Sequence, residues 1–173
     1  MNPKLFTMLN PKTVNLLSSG GQSTFTVSDF NFVCSGADPI GLEVLQRKWG
    51  TGTKEDFSTF LKEIVEFSNK WIIQGNREKK LKGLLDLVLF EETALPTCSY
   101  CRGRGERTVQ GKLGECQPCR GTGHYRLKDS EKASYIGINK QSWKTWEPRY
   151  KDVKMLLDEH IHRAIVSIGE KLR

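Results

Sequence analysis

No stretch of this sequence combines a basic segment, an apolar run and a small-residue cleavage site, as a secretory leader would. No apolar run approaches the roughly 18 residues that suggest a bilayer-spanning helix. A glycine-rich nucleotide-binding loop, a Ser/His/Asp order typical of hydrolases and an open metal site are also missing. We therefore expect a cytoplasmic protein that does not contact a membrane and is not an enzyme.

Cysteine is scarce, but four of the five cysteines occur in pairs. Cys98 and Cys101 form one Cys-x-x-Cys motif, and Cys116 and Cys119 form a second. In a reducing compartment, paired cysteines are more often metal ligands than disulfides. Four thiolates suit zinc and leave no coordination position open for a substrate water. The pattern therefore predicts one structural Zn²⁺ site.

Each cysteine pair continues with the phrase Cys-Arg-Gly-x-Gly, at residues 101–105 and 119–123. Glycine reaches positive φ at little cost, as the sharp turn of a knuckle requires. The repetition predicts two pseudo-symmetric knuckles around one ion. Large apolar side chains are few here, so we expect metal binding rather than a hydrophobic core to hold this segment folded. Cys34 lies far from both pairs and is interpreted as a small core residue.

The positive charge of the chain is concentrated on the cysteine segment. The formal net charge is +7, and residues 98–128 alone carry 7 basic and 2 acidic side chains. A polyanion is expected to contact such a surface. Phosphate contact is expected for some of its basic side chains, with Arg102, Arg104 and Arg120 as the predicted contacts. The other members of this set are Arg107, Lys112, Arg126 and Lys128. The alternative interpretation is a solvated, solubilising surface around an anionic thiolate centre.

Residues 129–148 have the spacing of a helix-turn-helix. Asp129 is predicted to cap the first helix, and Gly137 to supply a left-handed turn. The second helix is predicted over residues 139–147, with Pro148 ending it and with Trp143 and Trp146 packed inward. An ordinary helical hairpin with an aromatic core is the alternative.

The face of the second helix opposite its tryptophans is expected to contact double-stranded DNA, with Gln141 suited to a base edge. The predicted contacts of this segment are Asn139, Lys140, Gln141, Lys144, Thr145 and Arg149. Lys132, on the first helix, occupies a place where such motifs usually have an apolar residue. The pattern is therefore an imperfect match.

Apolar residues at helical intervals predict further helices over residues 38–49, 53–71 and 78–93, and a long one over 149–173. A capping box at Thr53-x-x-Asp56 is expected to begin the second of these. The expected fold class is mainly α, with a helix-turn-helix-like pair and an inserted four-cysteine zinc element. We divide the chain into a poorly ordered N-terminal arm (1–35), a helical core (36–97), the four-cysteine element (98–128), and a helix-turn-helix-like segment whose long C-terminal helix packs on the core (129–173).

Taken in order, three stretches resemble the Q-type late-gene transcription antitermination proteins of lambdoid phages, over about residues 36–173. The first is the helical block FLKEIVEFSNKWIIQGNREKKLKGLLDLVLFEE. The second consists of CSYCRGRG and CQPCRGTG followed by HYR, and the third is SWKTWEPRYKDV. The DnaJ-type cochaperones share only the cysteine phrase, with four copies and two zinc ions, and their His-Pro-Asp signature is missing here.

The resemblance implies a factor that binds DNA at a late promoter in a bacterial host. It also implies contacts with paused RNA polymerase, through the beta flap and sigma region 4, and travel with the elongating enzyme so that terminators are read through. In that family the zinc element can be inserted between the two DNA-binding helices, which would pair residues 81–92 with a helix after the knuckles. The loop at residues 106–115 looks shorter than in the family, so its polymerase contacts are not carried over. The alternatives are a zinc-containing transcription regulator without antitermination and a DnaJ-like peptide-binding module.

Overall fold

Helices dominate the computed structural model, which describes residues 32–48, 57–109 and 111–171. The helices are α1 (Pro39–Lys48), α2 (Ser58–Phe67), α3 (Arg77–Thr93), α4 (Asp129–Ile136) and α5 (Trp143–Lys171). Strands β1 (Glu106–Val109) and β2 (Lys112–Glu115) form an antiparallel hairpin between α3 and α4. The predicted class, mainly helical with an inserted four-cysteine element, is confirmed.

The described residues form two compact units. The first contains those up to Ile72 and those from Lys151 onward, and the second is Ile73–Tyr150. Helix α5 therefore begins in the second unit and ends in the first. This grouping cuts across the predicted segments 36–97 and 129–173, because α3 packs against α4 on the far side of the cysteine element.

One apolar cluster of the first unit consists of Val33, Leu45, Ala164 and Ile168. Cys34 packs against this cluster, in agreement with the interpretation from sequence. Helices α1 and α5 approach closely at Gly41, where an added Cβ would lie 2.1 Å from the backbone oxygen of His160. Residues 1–31 of the predicted arm (1–35) and the predicted capping box at Thr53 and Asp56 lie outside the described residues, whereas Val33, within that predicted arm, is buried in the apolar cluster.

A cluster of ionisable side chains joins the helices of the first unit. The Asp38 carboxylate accepts a hydrogen bond from the Gly41 amide at 2.9 Å and so caps α1. His160 is buried, with Nδ1 at 2.9 Å from Asp38 and Nε2 at 2.8 Å from Glu63. Arg163 donates to Asp38 from Nε at 2.9 Å. Burial raises the pKa of Asp38, but hydrogen bonds from Gly41, His160 and Arg163 outweigh it and leave that pKa below its usual value.

The second unit is built on α3, whose predicted apolar stripe is buried. This stripe contains Leu81, Leu84, Leu85, Val88 and Leu89. Helix α4 crosses α3 at Gly83, where an added Cβ would lie 2.2 Å from the Tyr135 carbonyl oxygen. Asn76 caps α3, because its side chain accepts a hydrogen bond from the Lys79 amide at 2.9 Å. The sequence had assigned close helix approach to Ala133, which is also buried.

The turn after α4 has the predicted geometry. Gly137 is left-handed, with φ of 71°. The amide of Ile138 donates to the Ala133 carbonyl at 3.0 Å, which closes the C-terminal end of α4. Trp143 and Trp146 are both buried, as expected for the inner face of the helix that follows.

Two details of this segment were predicted wrongly. Pro148 does not end a helix, because α5 starts at Trp143 after a 3-10 turn at Lys140–Ser142 and continues through Pro148 to Lys171. Pro148 is the sixth residue of α5, where proline cannot donate to the Lys144 carbonyl, and the helix continues through it without that hydrogen bond. Asp129 does not cap α4 either: the Glu131 carboxylate does so, accepting from the Lys128 amide at 2.7 Å.

Lys132 occupies its unusual position as one half of a largely buried ion pair. Its Nζ lies 2.8 Å from a Glu91 carboxylate oxygen, and the two side chains are only 15% and 11% exposed. The Tyr150 hydroxyl also donates to Glu91, and Lys132 lies 4.4 Å from the centre of the Tyr150 ring. The cation therefore has partners in a place where the sequence pattern favours an apolar residue.

We expect Asp38→Asn to retain the cap of α1 but to lose the charge that His160 and Arg163 contact. The loss of charge-assisted hydrogen bonds should lower the free energy of unfolding at neutral pH by roughly 1–2 kcal/mol. Because the pKa of Asp38 is lowered from 3.8, this contribution is present above that pH and is lost as the pH falls through the lower, folded-state value. Urea titrations across pH 2–7 measure the difference between variant and parent.

Asp86→Asn is the matched control. Asp86 pairs with Lys82 at 3.8 Å, and both side chains are more than half exposed. Exposed pairs contribute little to stability, so this variant should match the parent at every pH. An Asp38→Asn deficit that persists undiminished at the acid end would contradict the assignment.

Candidate metal centre and adjoining basic surface

The β1–β2 hairpin brings the two cysteine pairs together. Cys98 and Cys101 precede β1, and Cys116 and Cys119 follow β2. The strands pair in register from Glu106 with Glu115 at the base of the hairpin. The chain therefore leaves the first knuckle, turns back and enters the second at the same end of the hairpin. All four cysteines are buried.

The four sulfur atoms have the spacing of a tetrahedral metal site. All lie within 4.8 Å of one another, with Cys101 and Cys119 at 3.7 Å and Cys98 and Cys116 at 4.0 Å. A disulfide would require about 2.05 Å. A tetrahedral ion with metal–sulfur bonds of about 2.3 Å separates its ligands by roughly 3.8 Å. The four cysteines are therefore arranged as ligands of one metal ion rather than as disulfides.

The backbone of each knuckle turns through left-handed residues. Arg102 and Arg120 have φ of 52° and 49°, and the glycines that follow them are also positive. This turn directs the Gly105 amide at the Cys101 sulfur, at 3.3 Å. A backbone amide stabilises the negative charge of a thiolate, as a metal ligand needs. The turn also explains why the phrase after each pair contains two glycines.

The two knuckles are related by an approximate twofold repeat. The Cys116 amide donates to the Gly105 carbonyl and the Cys98 amide to the Gly123 carbonyl, both at 2.8 Å. An added Cβ on Gly105 would lie 2.3 Å from the Gly121 oxygen, and one on Gly123 would lie 2.3 Å from the Gly103 oxygen. Each knuckle thus has a glycine, Gly105 or Gly123, whose missing side chain allows the backbone of the other knuckle to lie close. The predicted pseudo-symmetric repeat is present.

The thiols of the cluster share protons unequally. Burial raises the pKa of Cys101, but hydrogen bonds from the Gly105 amide and from the other three thiols lower it to about 7. Burial raises the pKa of Cys116, and its neighbouring thiols raise it further, to about 12. Four negative sulfurs cannot lie this close together without a cation between them. The cluster is therefore suited to a divalent metal ion.

The residues predicted to contact nucleic acid fall into several environments in the second unit. Arg102, Arg104, Arg120, Lys140, Gln141, Lys144 and Thr145 are exposed. The Asn139 side chain accepts hydrogen bonds from the amide and hydroxyl of Ser142, at 2.9 and 2.7 Å, and so caps the 3-10 turn. Arg149 is half-buried, with its guanidinium 4.8 Å from the centre of the Trp146 ring. Arg104 donates to the Cys101 carbonyl at 3.3 Å.

Arg120 and Lys140, which the sequence assigned to different elements, line one groove together with Arg126 and Lys128. Arg126 and Lys128 belong to the basic residues of this segment for which the sequence favours phosphate contact, although they are not among the individually predicted contacts. The signal available for them was only the local excess of basic residues. The groove could not be recognised from spacing, because it joins the second knuckle to the turn before α5.

No protein-family model matches the chain, and comparisons with curated proteins and with solved structures also gave no match. Among the described helices, none is both long enough and apolar enough to cross a membrane.

We expect Gly105→Ala to lower both the melting temperature and the bound metal per chain. The Cβ would collide with the Gly121 backbone, which cannot move without displacing the second knuckle. Gly123→Ala should have the same effect because its environment is equivalent. Metal content by atomic emission and thermal unfolding by circular dichroism measure the two quantities.

Gly111→Ala is the matched control, since Gly111 has φ of 78° against 76° for Gly105 but no atom within 4 Å of the added Cβ. Both substitutions carry the cost of a left-handed alanine, about 1 kcal/mol. Only Gly105→Ala adds the collision. Equal effects of the two variants would mean that the contact between knuckles does not support the metal site.

Proposed function

We propose that Cys98, Cys101, Cys116 and Cys119 bind one Zn²⁺ ion whose role is structural. The spacing of the four sulfurs supports a tetrahedral site, and four thiolates leave no position for a substrate or a water. Among the described residues of this element, the buried apolar cluster contains only these cysteines, while Tyr100 and Leu113 are 61% and 70% exposed. Zinc binding, on the order of 10 kcal/mol for small zinc peptides, supplies the stability that apolar packing does not.

Cys116→Ser is expected to reduce the zinc content from one ion per chain and to unfold the hairpin element, because the serine hydroxyl is a poor zinc ligand. The measurements are zinc stoichiometry and proteolysis within residues 98–128. Cys34→Ser, in the first unit, serves as the control and should retain one zinc. Unchanged stoichiometry and proteolysis in Cys116→Ser would end the zinc proposal.

We propose further that the second unit binds double-stranded DNA. The observation that carries this is the exposed segment at the start of α5, which follows the left-handed Gly137 turn and is anchored by two buried tryptophans. The side chains of residues 140, 141, 144 and 145 are exposed beside the two buried tryptophans, as base-contacting side chains of a helix-turn-helix are. The α3–α4 packing also accommodates the alternative in which the cysteine element is inserted between paired DNA-binding helices.

The resemblance to the Q-type antitermination proteins supplies the biological role in this proposal. The chain recognises a DNA element at a phage late promoter and engages the paused bacterial RNA polymerase through the beta flap and sigma region 4. It then stays with the elongation complex so that terminators are read through. Binding and remodelling, with no chemical step, account for this activity. The number of copies bound is left open.

Purified protein added to transcription reactions should increase read-through of a terminator placed after a late promoter, and should not do so after an unrelated promoter. Lys144→Ala should weaken promoter binding on the order of tenfold, since a base contact contributes about 1–3 kcal/mol. Lys154→Ala is a control on the same helix, where Lys154 lies 4.0 Å from Asp158.

Three results separate the proposal from its alternatives. Promoter binding without read-through would indicate a zinc-containing transcription regulator without antitermination. Binding of unfolded peptides, with none of DNA, would indicate a DnaJ-like module. Full promoter binding by a variant with alanine at residues 140, 141 and 144 would mean that the DNA-contacting segment is misplaced.

A further inference from the structure

A basic groove lies beside the second knuckle, and its lining comes from three separate stretches of the second unit. Arg120 belongs to the knuckle, Arg126 and Lys128 to the link before α4, and Lys140 to the 3-10 turn before α5. All four side chains are exposed. None of the charged groups that line this groove is among the four cysteines of the metal site.

The charge in the basic groove is poorly balanced. Of the described residues that line it, one is acidic, Asp129, against the four cations. Cations gathered on one concave surface repel one another, and a bound anion lowers that repulsion. The cations come from separate segments of the chain. A ligand with several anionic groups in a row can therefore contact more of them than a single anion can.

The side chains that line the groove favour duplex DNA over single-stranded nucleic acids. Among the described residues that line the basic groove, none is aromatic. Single-stranded nucleic acids are held mainly by stacking of their bases on aromatic rings, so the groove lacks the means to bind them in that way. Duplex DNA presents its phosphates on the outside and needs only cations and hydrogen-bond donors. Gln117 adds a neutral side-chain donor to the lining.

We infer that the basic groove binds the sugar-phosphate backbone of duplex DNA and does not read bases. Lys140 then belongs to the phosphate contacts, while Gln141 and Lys144 are left as the base-contacting candidates. The zinc element acts as a backbone clamp beside the base-reading segment, because Arg120 is fixed by the second knuckle. This inference rests on the proposed DNA binding and adds which side chains contact phosphates and which contact bases.

The test measures duplex affinity against salt concentration, for a late-promoter duplex and for an unrelated one. The double variant Arg126→Gln with Lys128→Gln should flatten the log–log slope by about 1.8 on both duplexes, since each phosphate contact contributes about 0.9. The ratio of the two affinities should stay constant, because phosphate contacts carry no sequence information. Lys128 donates to the capping Glu131 carboxylate from its backbone amide, so its side chain can be changed without removing that hydrogen bond.

Lys82→Gln is the matched control, an exposed lysine on α3 that does not line the groove. Zinc content and melting temperature establish that each variant is folded. If the double variant loses zinc, Lys140→Gln replaces it, with an expected change in slope of about 0.9. An unchanged slope, a change confined to the promoter duplex, or tighter binding of single-stranded RNA than of duplex would overturn the inference.

Binding by the wild-type protein distinguishes a wrong assignment of the groove from a wrong proposal of DNA binding. If it binds neither duplex, DNA binding itself is wrong. If it binds with a clear salt dependence and the groove variants show the same log–log slope, DNA binding is supported and the assignment of the groove is wrong.

Discussion

The close approach of the two glycine-rich knuckles is the constraint on which the second unit depends. Four sulfurs meet only if the Gly105 and Gly123 carbonyls reach the amides of the opposite knuckle, at 2.8 Å in each case. A side chain at either glycine would collide with backbone at 2.3 Å. Among the described residues of this element, the buried apolar cluster contains only cysteines, so little apolar packing compensates for a loss of that approach.

The same closure fixes the ends of the inserted element. A bridge pairs Thr97 with His124, and the Tyr125 amide donates to the Pro96 carbonyl at 2.7 Å. The chain thus enters and leaves the element at one place, which brings the end of α3 near the start of α4. Joining two helices across a long insertion costs conformational entropy, and a rigid insertion with paired ends reduces that cost. The contact of Gly83 with Tyr135 then completes the packing.

The sequence predicted what depends on local chemistry and missed what depends on partners distant along the chain. The cysteine spacing, the left-handed Gly137 and the apolar stripe of α3 are set by neighbouring residues, and the structure agrees with them. Proline is a local signal too, but the prediction from Pro148 was wrong, because α5 continues through it without the hydrogen bond that proline cannot donate. The contacts of His160 with Asp38 and Glu63 come from residues about 100 or more positions away, which periodicity cannot reveal. The DNA-contact residues remain a prediction.

The basic surplus of residues 98–128 is larger than the metal centre alone explains. In the proposed zinc-bound form, one ion and four thiolates carry a formal charge of about −2, which offsets less than half of the surplus of 7 basic over 2 acidic side chains. Arg104 contacts the knuckle through the Cys101 carbonyl, so part of the charge supports the centre itself. Arg126 and Lys128 instead line a groove that also includes Lys140, from outside the cysteine segment. Charge that served only to neutralise the thiolates would gather around the sulfurs, whereas this charge extends toward the segment before α5 and favours an external polyanion.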